Sequence, residues 1–166
     1  RTVIDSDLIA DNPQNFVVDS MYGSGRGAIK GFLQGTGCEV AEIRNKMNPG
    51  FDGIHPEPIG ANLGALASAI STGMGNFGLA TDGDADRIGA MDGRGVFVDP
   101  HKIMALALKH LVEVRGMTGA VVRTVSTTRM LDRLAKRYGL KIYETPVGFN
   151  HIADYMMSED VLIGGE

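Results

Sequence analysis

One cysteine, Cys38, stands in a sequence of 166 residues, so no internal disulfide can form, and no Cys-x-x-Cys pair offers a zinc site. That scarcity fits a reducing compartment, and the expected location is the cytoplasm. Positive charge is not in excess either: the formal net charge is -4 with charged residues at 22%, which leaves no basic field for nucleic acid or an anionic lipid surface. No apolar run approaches the roughly 20 residues that cross a bilayer, and the opening Arg1-Thr2-Val3-Ile4-Asp5 is not a signal peptide. Neither a membrane nor a nucleic acid is expected as a partner. An initiator methionine is also missing, and the sequence stops at Gly164-Gly165-Glu166 just after an apolar run. The expectation is a segment of a longer chain. No internal repeat is good enough to claim duplication.

What is present suffices for a folded core, with a hydrophobic fraction of 43%. Apolar runs of strand length alternate with stretches of helical period, which argues for βα units around mainly parallel, mixed sheets, an α/β fold. Phe16-Val17-Val18-Asp19 reads as a buried strand, followed by a glycine-rich turn and a helix to about Leu33. A second strand is expected over 38–43, then a loop over 45–58 too rich in Asn, Pro and Gly to be an element. Asn62 reads as the cap of a helix through Leu66 and Ile70 that Gly73 stops. The strand Phe77-Gly78-Leu79-Ala80-Thr81 then delivers the chain to Asp82. Strands at 96–98, 120–124, 140–143 and 161–163 alternate with helices at 103–114, 130–138 and 149–157. A domain boundary near Val96 divides the chain into 1–96 and 97–166.

Asp82-Gly83-Asp84-Ala85-Asp86-Arg87 is the most informative stretch. Three carboxylates at alternate positions, separated only by Gly and Ala, can curl around one hard cation, and their repulsion disfavours the arrangement otherwise. Oxygen ligands select magnesium, manganese or calcium over zinc or copper. Magnesium held this way keeps positions open for water or a phosphate oxygen, as phosphoryl transfer requires. Arg87, beside the cluster, can pair with a phosphate in a bidentate manner. An EF-hand fails on two counts, since Arg87 stands where its glycine belongs and Gly93 where its glutamate belongs. The blander reading is a solvated acidic turn.

Gly23-Ser24-Gly25-Arg26-Gly27-Ala28 follows a strand and opens a helix, so it formally meets the dinucleotide pattern G-x-G-x-x-G/A. Glu39 or Glu42 could supply the acidic partner of a ribose. A nucleotide-binding oxidoreductase domain is therefore the alternative function, set against glycines that merely permit a tight turn. Ser20 and Ser24 lack a basic neighbour that would make either a nucleophile. His55, His101, His110 and His151 have no motif partner and read as structural or surface residues. The methionines read mostly as core fillers.

Ala80-Thr81-Asp82-Gly83-Asp84-Ala85-Asp86-Arg87-Ile88-Gly89 resembles the metal-binding loop of the α-D-phosphohexomutases, the phosphoglucomutase/phosphomannomutase family. Val18-Asp19-Ser20-Met21-Tyr22-Gly23-Ser24-Gly25 is similar to the first strand and turn of that family's second domain, and Pro56-Glu57-Pro58 with Asn62-Leu63 to its pre-loop segment. Glu144-Thr145-Pro146-Val147-Gly148-Phe149 and Gly164-Gly165-Glu166 resemble sugar-loop segments of the third domain. The resemblance implies domain two and most of domain three of a four-domain enzyme that moves a phosphoryl group between hydroxyls of glucose or mannose phosphates through a phosphoserine in a domain absent here. It implies that Asp82, Asp84 and Asp86 bind Mg2+, that Arg87 contacts the transferring phosphate, and that Gly148 and Glu166 meet the sugar. Asn150 departs from the lysine common at that position in glucose-type members, so no basic role is assigned there. A sugar-phosphate-sensing relative without catalysis is the remaining class.

Overall fold

The computed structural model describes residues 4–166, so the first three residues of the opening string lie outside it. The protein is α/β and parts into two compact units, one running to Pro100 and the other covering His101–Glu166.

In the first unit the run Phe16-Val17-Val18 forms β1 (Asn15–Asp19), and its burial on both faces explains why no polar residue interrupts it. Side chains alternate across the strand. Phe16 and Val18 join Leu33, with Ile9 of α1 (Ser6–Asp11) and Ile29 of α2 (Ala28–Phe32) packed on them. Val17 faces the other way, toward Leu66, Ala69 and Ile70 of α3 (Gly64–Ser71). Fully burying a leucine such as Leu66 contributes about 1.5–3 kcal/mol.

The sheet runs β2-β1-β3-β4-β5, where β2 is Glu39–Ile43, β3 Gly78–Thr81, β4 Ile88–Met91 and β5 Phe97–Val98. β1 lies parallel to β2 and β3, whereas β3–β4 and β4–β5 are antiparallel. Three expectations need correction here. The strand at 96–98, read as the opening of the second domain, instead closes this first sheet by pairing Ala90 with Val98. β4 was not anticipated, and it makes the Asp82 loop the tip of an antiparallel hairpin. Asn62 does not cap α3; its side-chain amide donates to the Glu57 carbonyl at 3.0 Å, and Leu63 takes the cap position without a side-chain bond. The methionines also depart from expectation. Met21 and Met91 are buried, but Met47 and Met157 are 80% and 89% exposed.

The second unit is a parallel sheet in the order β7-β6-β8, with β6 Ala120–Thr124, β7 Ile142–Thr145 and β8 Val161–Gly165. Val121 of the fully buried β6 packs with Leu108 of α4 (Pro100–Glu113) and with Leu131 and Ala135 of α5 (Met130–Tyr138). Gly164 of β8 lies against Ile152 and Met156 of α6 (Phe149–Ser158), so helices cover both faces. Among the described residues no helix is long and apolar enough to cross a membrane.

Arg123 puts a charge inside that central strand and is 4% exposed. Its guanidinium is gripped twice by Asp132, at 2.8 Å each, and once by Glu144 at 2.8 Å. The Arg123 hydrogen bonds hold the Asp132 carboxyl below its ordinary value. Because the folded value is the depressed one, this stabilisation is complete above the unfolded value of about 3.9 and fades as the pH falls below it. Asp132→Asn should therefore destabilise the protein at neutral pH by about 1–3 kcal/mol, softened by the partial exposure of Asp132. Its melting temperature should also fall less than that of the unmutated protein on acidification below about pH 4. Thermal unfolding of both proteins across that range checks the pair of expectations.

Candidate metal and phosphate site

The six residues 82–87 join β3 to β4, whose register pairs Thr81 with Ile88. The tip therefore sits beyond the carboxyl end of β3 and beside that of its parallel neighbour β1, where α/β folds place ligands. Asp82 is buried, and its Oδ1 accepts the Arg87 amide at 3.0 Å across the loop. Ala85 takes a left-handed φ of 67°, which turns the chain back between Asp84 and Asp86. As a result one carboxylate oxygen from each of Asp82, Asp84 and Asp86 lies within 4.8 Å of the others.

Burial pushes the Asp82 carboxyl up, but hydrogen bonds from the Arg87 amide and from the Asp86 and Asp84 carboxyls outweigh it, and the group settles below its ordinary value. Asp86 moves the other way. Its hydrogen bond to Asp82, with the negative charge of Asp84 close by, holds its carboxyl above the usual range. A carboxyl crowded by acidic neighbours is one that gains from a cation among them. An all-oxygen set at this spacing, partly open to solvent, fits a hard divalent ion such as Mg2+.

Arg87 is the cation beside the cluster. Its side chain is 61% exposed, its Nη1 donates to Glu57 Oε1 at 3.2 Å, and its Nε lies 3.8 Å from Asp82 and 4.0 Å from Asp86.

The loop is held from two sides by backbone. From the glycine-rich turn, the Ser24 amide donates to the Gly83 carbonyl at 2.9 Å, and a Cβ on Gly23 would stand 2.5 Å from the Asp82 carbonyl oxygen. From the polar loop, the Pro56 carbonyl accepts the Gly83 amide at 3.1 Å. The glycine-rich turn thus serves the close approach of the acidic loop. Its dinucleotide reading loses support here, because Glu42 Oε1 accepts the Gly27 amide at 2.8 Å, at the start of a helix of five residues. A pyrophosphate would need that amide. Ser20 is fully buried, with its hydroxyl 3.4 Å from the same Glu42 oxygen.

Beneath the turn, Asp19 is buried and paired with Arg44, whose Nε donates to Asp19 Oδ1 at 2.8 Å. The same carboxylate accepts the Met21 amide at 3.0 Å, Arg44 reaches the Asn62 carbonyl at 3.1 Å, and the Tyr22 amide donates to the Arg44 carbonyl at 2.7 Å. Met21 and Tyr22 are both left-handed, at φ 45° and 60°, a strained pair that these bonds hold in place. Arg26 donates to the carbonyls of Tyr22 and Gly23 and finishes the turn.

In the second unit Gly148 and Glu166 meet, since Glu166 Oε2 accepts the Gly148 amide at 2.6 Å. Gly148 has φ 129°, and a Cβ there would stand 2.6 Å from Asn150 Oδ1, so glycine is required. Asn150 thus packs under the turn.

The sequence named Glu42 only as a possible ribose partner and Asp19 and Glu57 only within strings that resemble the family, and it gave no role to Arg44. The partners of Glu57, Glu42 and Asp19 lie 30, 15 and 25 residues away. The one available signal was the Pro-Glu-Pro string, a charged residue fixed between two rigid neighbours.

Family profiles described as Phosphoglucomutase/phosphomannomutase, alpha/beta/alpha domains II and III, match residues 2–95 and 99–166. A phosphoglucomutase/phosphomannomutase of Thermococcus kodakarensis is 32% identical over 98% of this chain and 36% of its own length. A probable phosphoglucosamine mutase of Methanosarcina acetivorans is 32% identical over 96% of this chain and 36% of its own. The crystal structure of a putative phosphomannomutase from Thermus thermophilus superposes with a TM-score of 0.91 at 37% identity, covering 98% of this chain and 38% of that one. The chain spans a little over a third of the length of these relatives.

Gly23→Ala forces a methyl group onto the Asp82 and Gly83 carbonyls, and overpacking of this kind costs about 1–3 kcal/mol. The control is Gly31→Ala within α2, which meets nothing within 4 Å and should stabilise by about 0.5–1 kcal/mol. Denaturant titration should give opposite signs for the two variants, and magnesium affinity should fall only for Gly23→Ala.

Proposed function

The chain belongs to the phosphoglucomutase/phosphomannomutase family, of which it carries domains II and III, and from this we propose that it is the metal-binding and sugar-recognition portion of a phosphohexomutase. The reaction is the interconversion of a hexose 1-phosphate and a hexose 6-phosphate, with glucose or mannose phosphate as substrate. A phosphoserine lying outside these 166 residues donates its phosphoryl group to the free sugar hydroxyl, and the resulting bisphosphate returns its other phosphoryl group to the serine. The observation that carries this reading is the convergence of Asp82, Asp84 and Asp86 within 4.8 Å beside the exposed Arg87.

Each group in the chain has a part. Asp82, Asp84 and Asp86 would hold Mg2+, which when bound supplies positive charge that steadies a phosphoryl group in transfer. Asp82 also fixes the Arg87 backbone. The Arg87 guanidinium engages Glu57 through Nη1 and keeps its other donors for phosphoryl oxygens. Glu166, a carboxylate at the end of β8, accepts hydrogen bonds from sugar hydroxyls, and Gly148 shapes the turn that faces it. The remaining domains of the longer protein bring the serine and the clamp for the second phosphate.

Asp84→Asn in the full-length protein tests the site, because it removes one charge with almost no change of shape. If the cluster supports charge in the transition state more than in the ground state, the loss falls on kcat, by about 10²- to 10³-fold. Relief of repulsion should leave the metal-free melting temperature unchanged or slightly raised. Near-normal kcat with glucose, mannose and glucosamine phosphates would withdraw the metal assignment.

The chain of 166 residues by itself should not turn over glucose 1-phosphate, since the donor serine lies elsewhere, and it should bind Mg2+ more weakly than the phosphorylated full-length protein. A coupled assay and calorimetry on both proteins check these two expectations, and equal affinities would show that the phosphoryl oxygen contributes nothing to the metal site.

A further inference from the structure

Arg87 has a fixed backbone and a loosely held side chain. Its amide is tied to Asp82, yet the guanidinium is largely exposed, and the carboxylates of Asp82 and Asp86 stand beyond hydrogen-bonding distance from its Nε, at 3.8 and 4.0 Å. A long side chain of this kind gives up as much as ~2 kcal/mol of rotamer entropy when it is fixed. Glu57 is the residue that shortens the search, with its Oε1 3.2 Å from Arg87 Nη1.

The backbone of Glu57 is itself held in place. Pro56 and Pro58 flank it, and a residue before proline is confined to extended backbone. Its amide donates to the His55 carbonyl at 2.8 Å, and its own carbonyl accepts the Ile59 amide at 2.8 Å and the Asn62 side chain at 3.0 Å. The segment is bonded at one end of the hairpin tip and packed against the other. Pro56 accepts the Gly83 amide at 3.1 Å, and the Pro58 carbonyl oxygen occupies the space where a Cβ on Gly89 would stand, 2.5 Å away. Pro-Glu-Pro is thus a strut from residue 83 to residue 89, with Arg87 between the two anchor points. The other Glu57 oxygen is 3.8 Å from His55, which is 77% exposed and a weak competitor.

We propose that Glu57 is a positioning residue: from this strut it holds Arg87 by one terminal nitrogen, directing the free Nε and Nη2 edge of the guanidinium toward the phosphoryl oxygens of the substrate. The proposal rests on the phosphate role given to Arg87 above. A single-point grip suits that task, since a bidentate partner would use the edge a phosphate needs.

A double-mutant cycle in the full-length enzyme tests it, with Glu57→Ala, Arg87→Ala and the pair. Glu57→Ala should lower kcat about 10- to 100-fold, as loss of a partner that orients a functional ligand does, with KM and melting temperature little changed. Glu57→Gln, which keeps the acceptor oxygen, should restore most of the loss. In the Arg87→Ala background, Glu57→Ala should lower kcat no further, because residues that act through one contact are not additive. Magnesium affinity by calorimetry should be the same with and without Glu57. Additive losses, a gain in kcat, or weakened magnesium binding in Glu57→Ala would each overturn the positioning role. Normal turnover by Arg87→Ala alone would instead remove the phosphate role of Arg87 itself, a separate failure.

Discussion

Mutual repulsion of Asp82, Asp84 and Asp86 is the constraint around which the first unit is organised. Three carboxylates whose oxygens approach within 4.8 Å need support beyond the one bond from the Arg87 amide to Asp82, and the surrounding backbone supplies it. The antiparallel closure of β3 on β4 fixes the two ends of the loop. The turn after β1 supports one side and the Pro56 carbonyl the other. Strain in that turn, at Met21 and Tyr22, is held by Asp19 and Arg44, which lie at the carboxyl ends of the two adjacent parallel strands.

The second unit uses a related device with the signs exchanged. There the buried cation sits on the central strand at Arg123, and Glu144, its register partner on β7, supplies one of the anions. In both units an arginine–acid pair with one fully or nearly fully buried member, Asp19 in the first and Arg123 in the second, ties neighbouring parallel strands near their carboxyl ends. Such pairs add little net stability compared with apolar residues of the same shape, but removing one partner strands a charge in the interior. Their effect is to make one arrangement of the strand ends much better than its neighbours.

Much of the fold was legible because its central strands are buried on both faces and so read as continuous apolar runs, as at Phe16-Val17-Val18 and Ala120-Val121-Val122. β4 was not, since Ile88-Gly89-Ala90-Met91 is short, contains glycine and exposes Ile88. α1 escaped because a six-residue helix with no buried residue has no periodic face to detect. The acidic loop declared itself through composition alone, because three aspartates separated only by Gly and Ala repel one another unless a cation sits among them. Its supports did not. Contacts such as Glu57–Arg87 and Glu42–Gly27 join segments far apart in the chain, and nothing in either local pattern names the other.

The seam on which the acidic loop rests is made of backbone amides and carbonyls, Ser24 to Gly83 and Gly83 to Pro56. Bonds of this kind are indifferent to most side chains. Replacing Ser24 by alanine leaves both of them intact, so a side-chain truncation survey would score the seam as silent while it supports the loop. Only changes that alter the main chain itself, an added Cβ at a glycine or an ester in place of an amide, would make its contribution visible.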